Sequence, residues 1–229
     1  MRNLVLTGGP HPFDETTPRL VRMLADAGIE STVFDDIERG AQALAETSCE
    51  LLTVHCLRWT MVQSPKYAPL RDTWGYSPSE ATRAAIAGHV ARGGGLLGLH
   101  TAAISFDTWP AWRDLLGASW TWGVSRHERL GRIDVTIDAP QHPVTRGVAS
   151  FECDDEAYGA MDVSASAVVL AHARARTEVH AHPAVLVQDL PSRGRSAYIT
   201  IGHGASTFDH PSLRRLVTQA AAWCSRRPG

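Results

Sequence analysis

The first half of the chain alternates short apolar runs with helical patterns, and this order restricts the fold more than any other feature. Apolar runs with strand character are each followed by a predicted helix; the first helix shows apolar residues at helical spacing, and the third opens with a proline and an acid, which are helix-start signals. Predicted strands span residues 3–7, 31–34, 51–55 and 96–100, and predicted helices span residues 14–27, 37–46, 77–92 and 109–116. Such alternation predicts an α/β protein with a doubly wound, mostly parallel sheet.

Beyond residue 118 the pattern changes to a series of strands. Residues 132–137 alternate apolar and polar side chains with period two, as a half-exposed strand does. Further strands are predicted at 167–171, 184–187 and 196–201, a closing helix at 213–223, and an irregular loop at 57–77. No repeat or long linker divides the chain, so we expect a single domain over residues 1–229.

Composition and charge argue against several functional classes. The net charge is -2 and 44% of the 229 residues are hydrophobic, so nothing favours a nucleic-acid partner. No apolar run approaches the length of a membrane span. The four cysteines have no C-x-x-C spacing, and the chain shows no leader pattern. We therefore expect a cytoplasmic protein with reduced thiols and no membrane partner.

Four histidines follow or end predicted strands. His11 follows the first strand, His55 and His100 end the third and fourth, and His203 follows the last. Ligands of open α/β sheets bind at the carboxyl ends of the strands. Each histidine taken alone is more typical of a hydrogen-bonded residue packed near a sheet, but the four together favour a histidine-rich site at this edge.

The segment Gly98-Leu99-His100-Thr101-Ala102 has the pattern of a nucleophile elbow. A strand, a sharp turn and a helix start there present one side chain between small residues. The central residue of such an elbow is serine or cysteine, whereas here it is His100. Histidine can serve as a base, a metal ligand or a hydrogen-bond donor. The alternative is a plain strand-to-helix turn that Thr101 caps.

Two polar segments add candidate residues. His127 lies in the run 125–129 and Glu156 ends the acidic run 154–156, each of which is either a solvated loop or part of the site. Histidines with carboxylates suit a divalent metal such as zinc, for which His100, His127 and His203 are the candidate ligands. The alternative is metal-free acid–base catalysis by histidine. No nucleotide cofactor is expected, because no G-x-G-x-x-G follows a strand.

Aromatic residues are concentrated in the predicted loop 57–77 and after it. The loop carries Trp59, Tyr67, Trp74 and Tyr76, and Trp109 lies at the start of the next predicted helix. Aromatic faces pack against the C–H faces of sugar rings. The alternatives are a hydrophobic lid and a homodimer interface, both of which are also rich in aromatic residues.

Several segments, in this order and spacing, resemble the ThuA-like (trehalose-utilisation) family over roughly residues 1–224. They are Gly8-Gly9-Pro10-His11-Pro12-Phe13, the run 93–103 that contains His100, residues 106–117, His142-Pro143-Val-Thr-Arg-Gly147, Asp155-Glu156-Ala-Tyr158, and the run 194–203 that ends in Gly202-His203.

The resemblance implies a flavodoxin-like three-layer sandwich, similar to class I glutamine amidotransferases, with His100 at the position of their catalytic cysteine. It also implies that His203 matches the late Gly-His and Glu156 the acid of the Asp-Glu-x-Tyr segment. His127 lies where members often carry His-Pro, but Glu128 follows it here. Glutamine amidotransferase activity is therefore not expected, and family members are associated with trehalose and related sugars.

The residues and the resemblance together predict a carbohydrate-processing protein that hydrolyses or isomerises a small (keto-)disaccharide such as a trehalose derivative. The alternative is a non-catalytic sugar-binding or regulatory module on the same scaffold. The candidate catalytic residues are His100, His203 and Glu156, and the candidate sugar-binding residues are His11, His55, Trp59, Trp109 and Tyr158.

Overall fold

The computed structural model describes residues 1–190 and 194–225 of the chain. Its centre is a nine-stranded sheet with the strand order β2-β1-β3-β4-β13-β12-β11-β7-β8. These nine strands are β1 (Arg2–Gly8), β2 (Glu30–Phe34), β3 (Leu51–Cys56), β4 (Gly95–Leu99), β7 (Gly131–Ile137), β8 (Phe151–Asp155), β11 (Val168–Ala175), β12 (His182–Asp189) and β13 (Arg195–Ile199). Two short two-stranded ladders pair β5 (Ala118–Ser119) with β10 (Asp162–Val163), and β6 (Arg126–His127) with β9 (Tyr158–Gly159).

Five strands form the parallel part of the sheet. β1 pairs in parallel with β2 and β3, β3 pairs with β4, and β4 pairs with β13. This order, β2-β1-β3-β4-β13, is the flavodoxin-like 2-1-3-4-5 order, whose switch point lies between β1 and β3. The predicted doubly wound architecture and its first four strands are confirmed. β1, β3 and β4 are buried over nearly their whole length, as strands covered on both faces by βαβ crossovers are, whereas β2 lies at the edge of the sheet and is largely exposed.

The other part of the sheet is antiparallel. β12, β11, β7 and β8 continue from β13, each antiparallel to its neighbour. The predicted strands at 132–137, 167–171 and 184–187 lie in this region, and the one at 196–201 is β13, which joins the two parts; their ends are shifted by up to several residues. β8 was not predicted, because the acidic run that ends it resembles a solvated loop.

The helices cover the two faces of the sheet and give the molecule three layers. α1 (Phe13–Asp26), α6 (Ala205–Asp209) and α7 (Pro211–Ser225) contact one another on one face. α2 (Ile37–Glu46), α4 (Glu80–Ala91) and α5 (Ala111–Leu116) pack on the other. Each face of the sheet has its own hydrophobic core, and successive residues of β1 point into different ones. Val5 belongs to the core beneath α1, α6 and α7, whereas Leu4 and Leu6 belong to the core beneath α2, α4 and α5. None of the helices in the described ranges combines the length and apolar character that crossing a membrane requires.

Two local expectations were wrong. Residues 57–77 are not wholly irregular, because a 3-10 turn (Pro65–Tyr67) leads into the short helix α3 (Ala68–Trp74). β4 ends at Leu99, and His100 begins a 3-10 turn (His100–Ala103) instead of ending the strand. The predicted domain extends to residue 229, and its last four positions, 226–229, lie outside the described residues.

Candidate functional site

His100 occupies the turn that follows β4 and has the backbone of a nucleophile elbow. Its φ is +46°, in the left-handed region, and its side chain is fully buried. His100 Nδ1 donates a hydrogen bond to Thr200 O at 2.7 Å, and the Tyr198 hydroxyl donates to His100 O at 2.7 Å. Because Nδ1 carries the proton, Nε2 is left as an acceptor, and the Tyr158 hydroxyl donates to it at 3.1 Å.

His11 and His203 approach His100 from the loops after β1 and β13. The His11 Nε2 and His203 Nδ1 atoms are 3.2 Å apart. The ring of His100 lies 5.0 Å from that of His11 and 5.4 Å from that of His203, measured between centroids. One nitrogen from each ring falls in a group whose members all lie within 4.8 Å of one another. Three imidazoles so placed could hold a metal ion.

Gly9 allows the loops after β1 and β3 to approach each other at this edge. Its φ is +129°, and a Cβ atom at this position would lie 2.2 Å from Leu57 O. The two loops carry His11 and Trp59, so their close contact brings both side chains into one site. The site thus lies at the β1–β3 switch point, where ligands of this topology bind.

Glu156 links the histidines. It follows β8 and is 8% exposed. Its Oε2 lies 3.4 Å from His203 Nδ1 and 3.7 Å from His100 Nε2, while its Oε1 lies 3.3 Å from His127 Nδ1. His127 is at the rim of the site with a side chain 42% exposed. The structure therefore brings all the predicted catalytic residues and predicted metal ligands into one cluster.

The protonation states follow from burial and from Glu156. Burial lowers the pKa of His11 to about 3 and of His100 to about 4, so both rings are neutral at physiological pH. Hydrogen bonds with Glu156 raise the pKa of His203 and of His127. Burial alone would raise the pKa of Glu156, but the hydrogen bonds from His127 and His203 outweigh it and hold the pKa below the ordinary value.

Asp155 supports the site and was not among the predicted site residues. It is fully buried, and its Oδ2 accepts hydrogen bonds from the backbone N–H groups of Gly202 and His203 at 3.0 and 3.1 Å. Burial raises its pKa to about 6, against the opposing effect of those hydrogen bonds. Asp155 thereby fixes the loop that carries His203. In the acidic run 154–156, alternation along β8 turns Asp155 inward, and recognising β8 from the sequence would have identified it.

A cavity of about 230 Å³ opens beside the histidines. Its walls are largely aromatic, and the planes of Trp59 and Trp122 are stacked, with ring centroids 5.8 Å apart. Thr101 and Ile104, from the segment after β4, also line it. The remaining lining residues are Pro10, His11, Leu57, Tyr67, Leu70, Trp120, His127, Glu156, Tyr158 and His203.

Comparison with known proteins identifies the family. The sequence profile of ThuA, described as trehalose utilisation, matches residues 4–224. The chain belongs to the ThuA family. The resemblance read from the sequence is thus confirmed, together with the glutamine amidotransferase-like fold of that family.

Solved structures share the fold of this ThuA-family chain. A ThuA-like protein of Parabacteroides merdae is 18% identical, covers 98% of this chain and 90% of its own, and has a TM-score of 0.75. A ThuA-like protein of Bacteroides uniformis is 18% identical, with 98% and 91% coverage and a TM-score of 0.67. A cytoplasmic protein of Salmonella typhimurium is 12% identical, with 99% and 100% coverage and a TM-score of 0.65. No curated protein matches the chain.

Among the predicted sugar-binding residues of this ThuA-family chain, Trp59, Tyr158 and His11 line the cavity, but two others do not. His55 is fully buried in β3, where its Nε2 is hydrogen-bonded to Thr16 Oγ1 at 2.9 Å. Trp109 is 8% exposed and stacks on Trp112 in the core beneath α5. Neither side chain reaches the cavity, because the pleat of β3 turns His55 into the core and packing beneath α5 holds Trp109 there.

The elbow of this ThuA-family chain carries no thiol. His100 stands at the turn, and Cys56, the cysteine at the end of β3, is fully buried. Burial raises the pKa of the Cys56 thiol to about 12, which leaves it un-ionised at physiological pH. Neither residue supplies the nucleophile that glutamine amidotransferase chemistry requires.

Proposed function

We propose that the protein is a carbohydrate-processing enzyme of the cytoplasm. In this proposal one ring of a small sugar, such as a keto derivative of trehalose, binds in the aromatic cavity. The histidine–glutamate cluster then transfers protons in a hydrolysis or an isomerisation. The observation that carries the proposal is the position of Glu156 and its flanking histidines at the end of an aromatic-walled cavity.

The size and walls of the cavity support a sugar ring as the ligand. Its volume of about 230 Å³ lies below the range of about 300–1,000 Å³ that is usual for larger ligands. The stacked rings of Trp59 and Trp122 offer flat apolar faces to the C–H groups of a sugar. Their indole N–H groups are buried without an acceptor among the described residues, and buried donors ordinarily find one. A sugar hydroxyl would serve as that acceptor.

The charge distribution supports acid–base chemistry. Hydrogen bonds with Glu156 raise the pKa of His203 and of His127, so each holds its proton to a higher pH than a free imidazole and can serve as a proton donor. His100 is neutral and accepts the hydrogen bond of Tyr158, which orients that hydroxyl in the cavity wall. Among the cavity-lining residues that the structure describes, Glu156 is the one carboxylate. Two-carboxylate glycosidase chemistry therefore does not fit this cavity.

A panel of sugars tests the proposal. Trehalose, its keto derivative and the corresponding monosaccharides are incubated with the protein, and products are followed by NMR while binding is measured by calorimetry. We expect turnover of one panel member and a loss of about 10²–10⁴-fold in rate with Glu156→Gln, since that is the usual contribution of a general acid–base group.

Binding is tested separately from catalysis. Trp122→Ala removes one wall of the cavity, and we expect the dissociation constant of the sugar to rise about tenfold, or about 1.4 kcal/mol. Trp74→Ala is the matched control, because Trp74 is also partly exposed but does not line this cavity. Equal binding by both variants would contradict the placement of the sugar. Binding without turnover in the wild type would identify a sugar-binding module instead.

A further inference from the structure

We propose that His11, His100 and His203 bind one divalent transition-metal ion, with zinc as the ion that fits their chemistry. The proposal adds a cofactor to the site described above. The catalytic role of the ion rests on the proposed function, whereas its binding does not.

The positions of the ring nitrogens support a three-histidine site. Ligands about 2.0–2.1 Å from a tetrahedral zinc ion lie about 3.3–3.4 Å apart. His11 Nε2 and His203 Nδ1 are already 3.2 Å apart, and His100 contributes a nitrogen to the group that spans no more than 4.8 Å. The span of 4.8 Å exceeds the tetrahedral spacing by about 1.4 Å, so the three nitrogens need to move closer by up to about that distance to complete the coordination.

His100 has the hydrogen bond that is typical of an oriented metal ligand. Metal-binding histidines usually donate their second ring N–H to a carbonyl or a carboxylate. His100 Nδ1 donates to Thr200 O in this way and turns Nε2 towards the site. The Asp155 carboxylate holds the backbone of His203.

The ligand set differs from the one predicted from the sequence. His11 replaces His127, because His127 Nδ1 contacts Glu156 Oε1 and Glu128 O at the exposed rim. Three imidazole nitrogens are the ligand set of one class of catalytic zinc site, in which the fourth position stays open. Glu156 Oε2 lies beside two of these ligands, at 3.4 Å from His203 and 3.7 Å from His100.

The proposed ion changes the distribution of roles at the site. His203 becomes a ligand, and proton transfer passes to Glu156, whose other oxygen is held by His127. The ion would polarise a sugar oxygen bound at its open fourth position, as a Lewis acid does. The Tyr158 hydroxyl, released from His100 Nε2 by the ion, would become free to contact the same ligand.

Metal titration of the full chain tests the site. The chelator-treated protein is titrated with zinc in competition with a chromophoric chelator, and with cobalt(II), whose visible spectrum reports coordination geometry. We expect one zinc ion per chain and a tetrahedral cobalt spectrum. His11→Ala and His203→Ala should each weaken zinc binding by at least about 100-fold, because even residues that only support a ligand cost 10–100-fold.

Two controls separate the proposal from its alternatives. His172→Ala removes a partly exposed histidine of β11, three strands from β4 in the sheet, that pairs with Asp138, and it should bind zinc as the wild type does. His127→Ala should retain one zinc ion per chain. Thermal unfolding confirms that each variant is folded. Absence of stoichiometric zinc in the wild type, or equal binding by His11→Ala and His172→Ala, would overturn the proposal.

The metal proposal and the proposed function can fail independently. Sugar turnover by a protein that binds no metal would leave the acid–base proposal intact and eliminate the metal. Stoichiometric zinc that depends on His11 and His203, without turnover of any sugar in the panel, would establish the metal site and remove the proposed function.

Discussion

His100 combines a fully buried side chain with a left-handed backbone. A left-handed conformation costs an ordinary residue about 1–2 kcal/mol, and such strain persists where the surroundings hold the residue in place. Here Thr200 O accepts the ring proton and the Tyr198 hydroxyl binds the carbonyl. The resulting turn points the imidazole at the loops after β1, β8 and β13, where the other site residues lie.

The backbone of His100 gives a prediction at the scale of one residue. His100→Asn and His100→Val both remove the imidazole, but asparagine tolerates φ of +46° whereas a β-branched side chain does not. We expect the valine variant to be less stable than the asparagine variant by about 1–2 kcal/mol. Urea unfolding of metal-free protein measures the difference. Equal stabilities would mean that the turn relaxes to an ordinary conformation after substitution.

Glu38 joins two helices on one face of the sheet. It lies in the first turn of α2, and its carboxylate accepts hydrogen bonds from the Tyr76 hydroxyl at 2.6 Å and from Thr82 Oγ1 at 2.7 Å. Ser79, the N-cap of α4, donates to it from both its hydroxyl and its backbone N–H. These bonds outweigh partial burial, which acts in the opposite direction, and lower the pKa of Glu38 to about 2.

The lowered pKa predicts how this helix contact depends on pH. An acid whose pKa is lower in the folded than in the unfolded state stabilises the fold at pH values above its unfolded pKa. This stabilisation is lost as the pH falls towards the folded pKa. At pH 7 we expect Glu38→Gln to lower the free energy of unfolding by about 1 kcal/mol, because exposure to solvent weakens the hydrogen bonds of this carboxylate. The difference in stability between the wild type and Glu38→Gln should shrink as the pH falls from 4.5 to about 2. Urea unfolding across this range measures it.

Glu30→Gln provides the control for Glu38→Gln. Glu30 is an exposed acid at the start of β2, and the structure gives its carboxylate no hydrogen bond among the described residues. We expect a change in stability within about 0.5 kcal/mol, as is usual for surface substitutions. A cost for Glu38→Gln that stayed constant down to pH 2 would contradict the charged hydrogen-bond network as its cause.

The two parts of the sheet share one hydrophobic core. β13 pairs in parallel with β4 and antiparallel with β12, so it belongs to both parts. The core on the α1–α7 face runs from Val5 and Leu97 in the parallel part to Ile133 and Ala173 in the antiparallel part. Neither part can unfold without exposing apolar side chains of the other.

This shared core predicts cooperative unfolding of the whole molecule. We expect far-UV circular dichroism and tryptophan fluorescence to report a single, coincident transition in urea. The outcome also tests the prediction of a single domain. Two separated transitions would show that the antiparallel part is an independent unit and would contradict that prediction.

The elements that could be predicted are those with a local signal. The apolar runs of β1, β3 and β4, the helical spacing of α1 and the start and stop signals of α4 each lie within a short window of sequence, so each can be detected without the fold. The helix α3 was missed because its seven residues carry no long apolar pattern. β8 was missed because the run 154–156 resembles a solvated loop, although Asp155 at the end of this strand is fully buried.

The sequence by itself determined the parallel architecture, the elbow at His100 and the carboxyl edge at which polar residues gather. These features depend on neighbouring residues and on the rule that parallel strands end at one edge. Only the tertiary structure decided which candidates meet: His11, His203 and Glu156 converge on His100, whereas His55 and Trp109 turn into the core. The physical reason is that side-chain direction follows from strand pleat, loop conformation and long-range packing, which no short stretch of sequence contains.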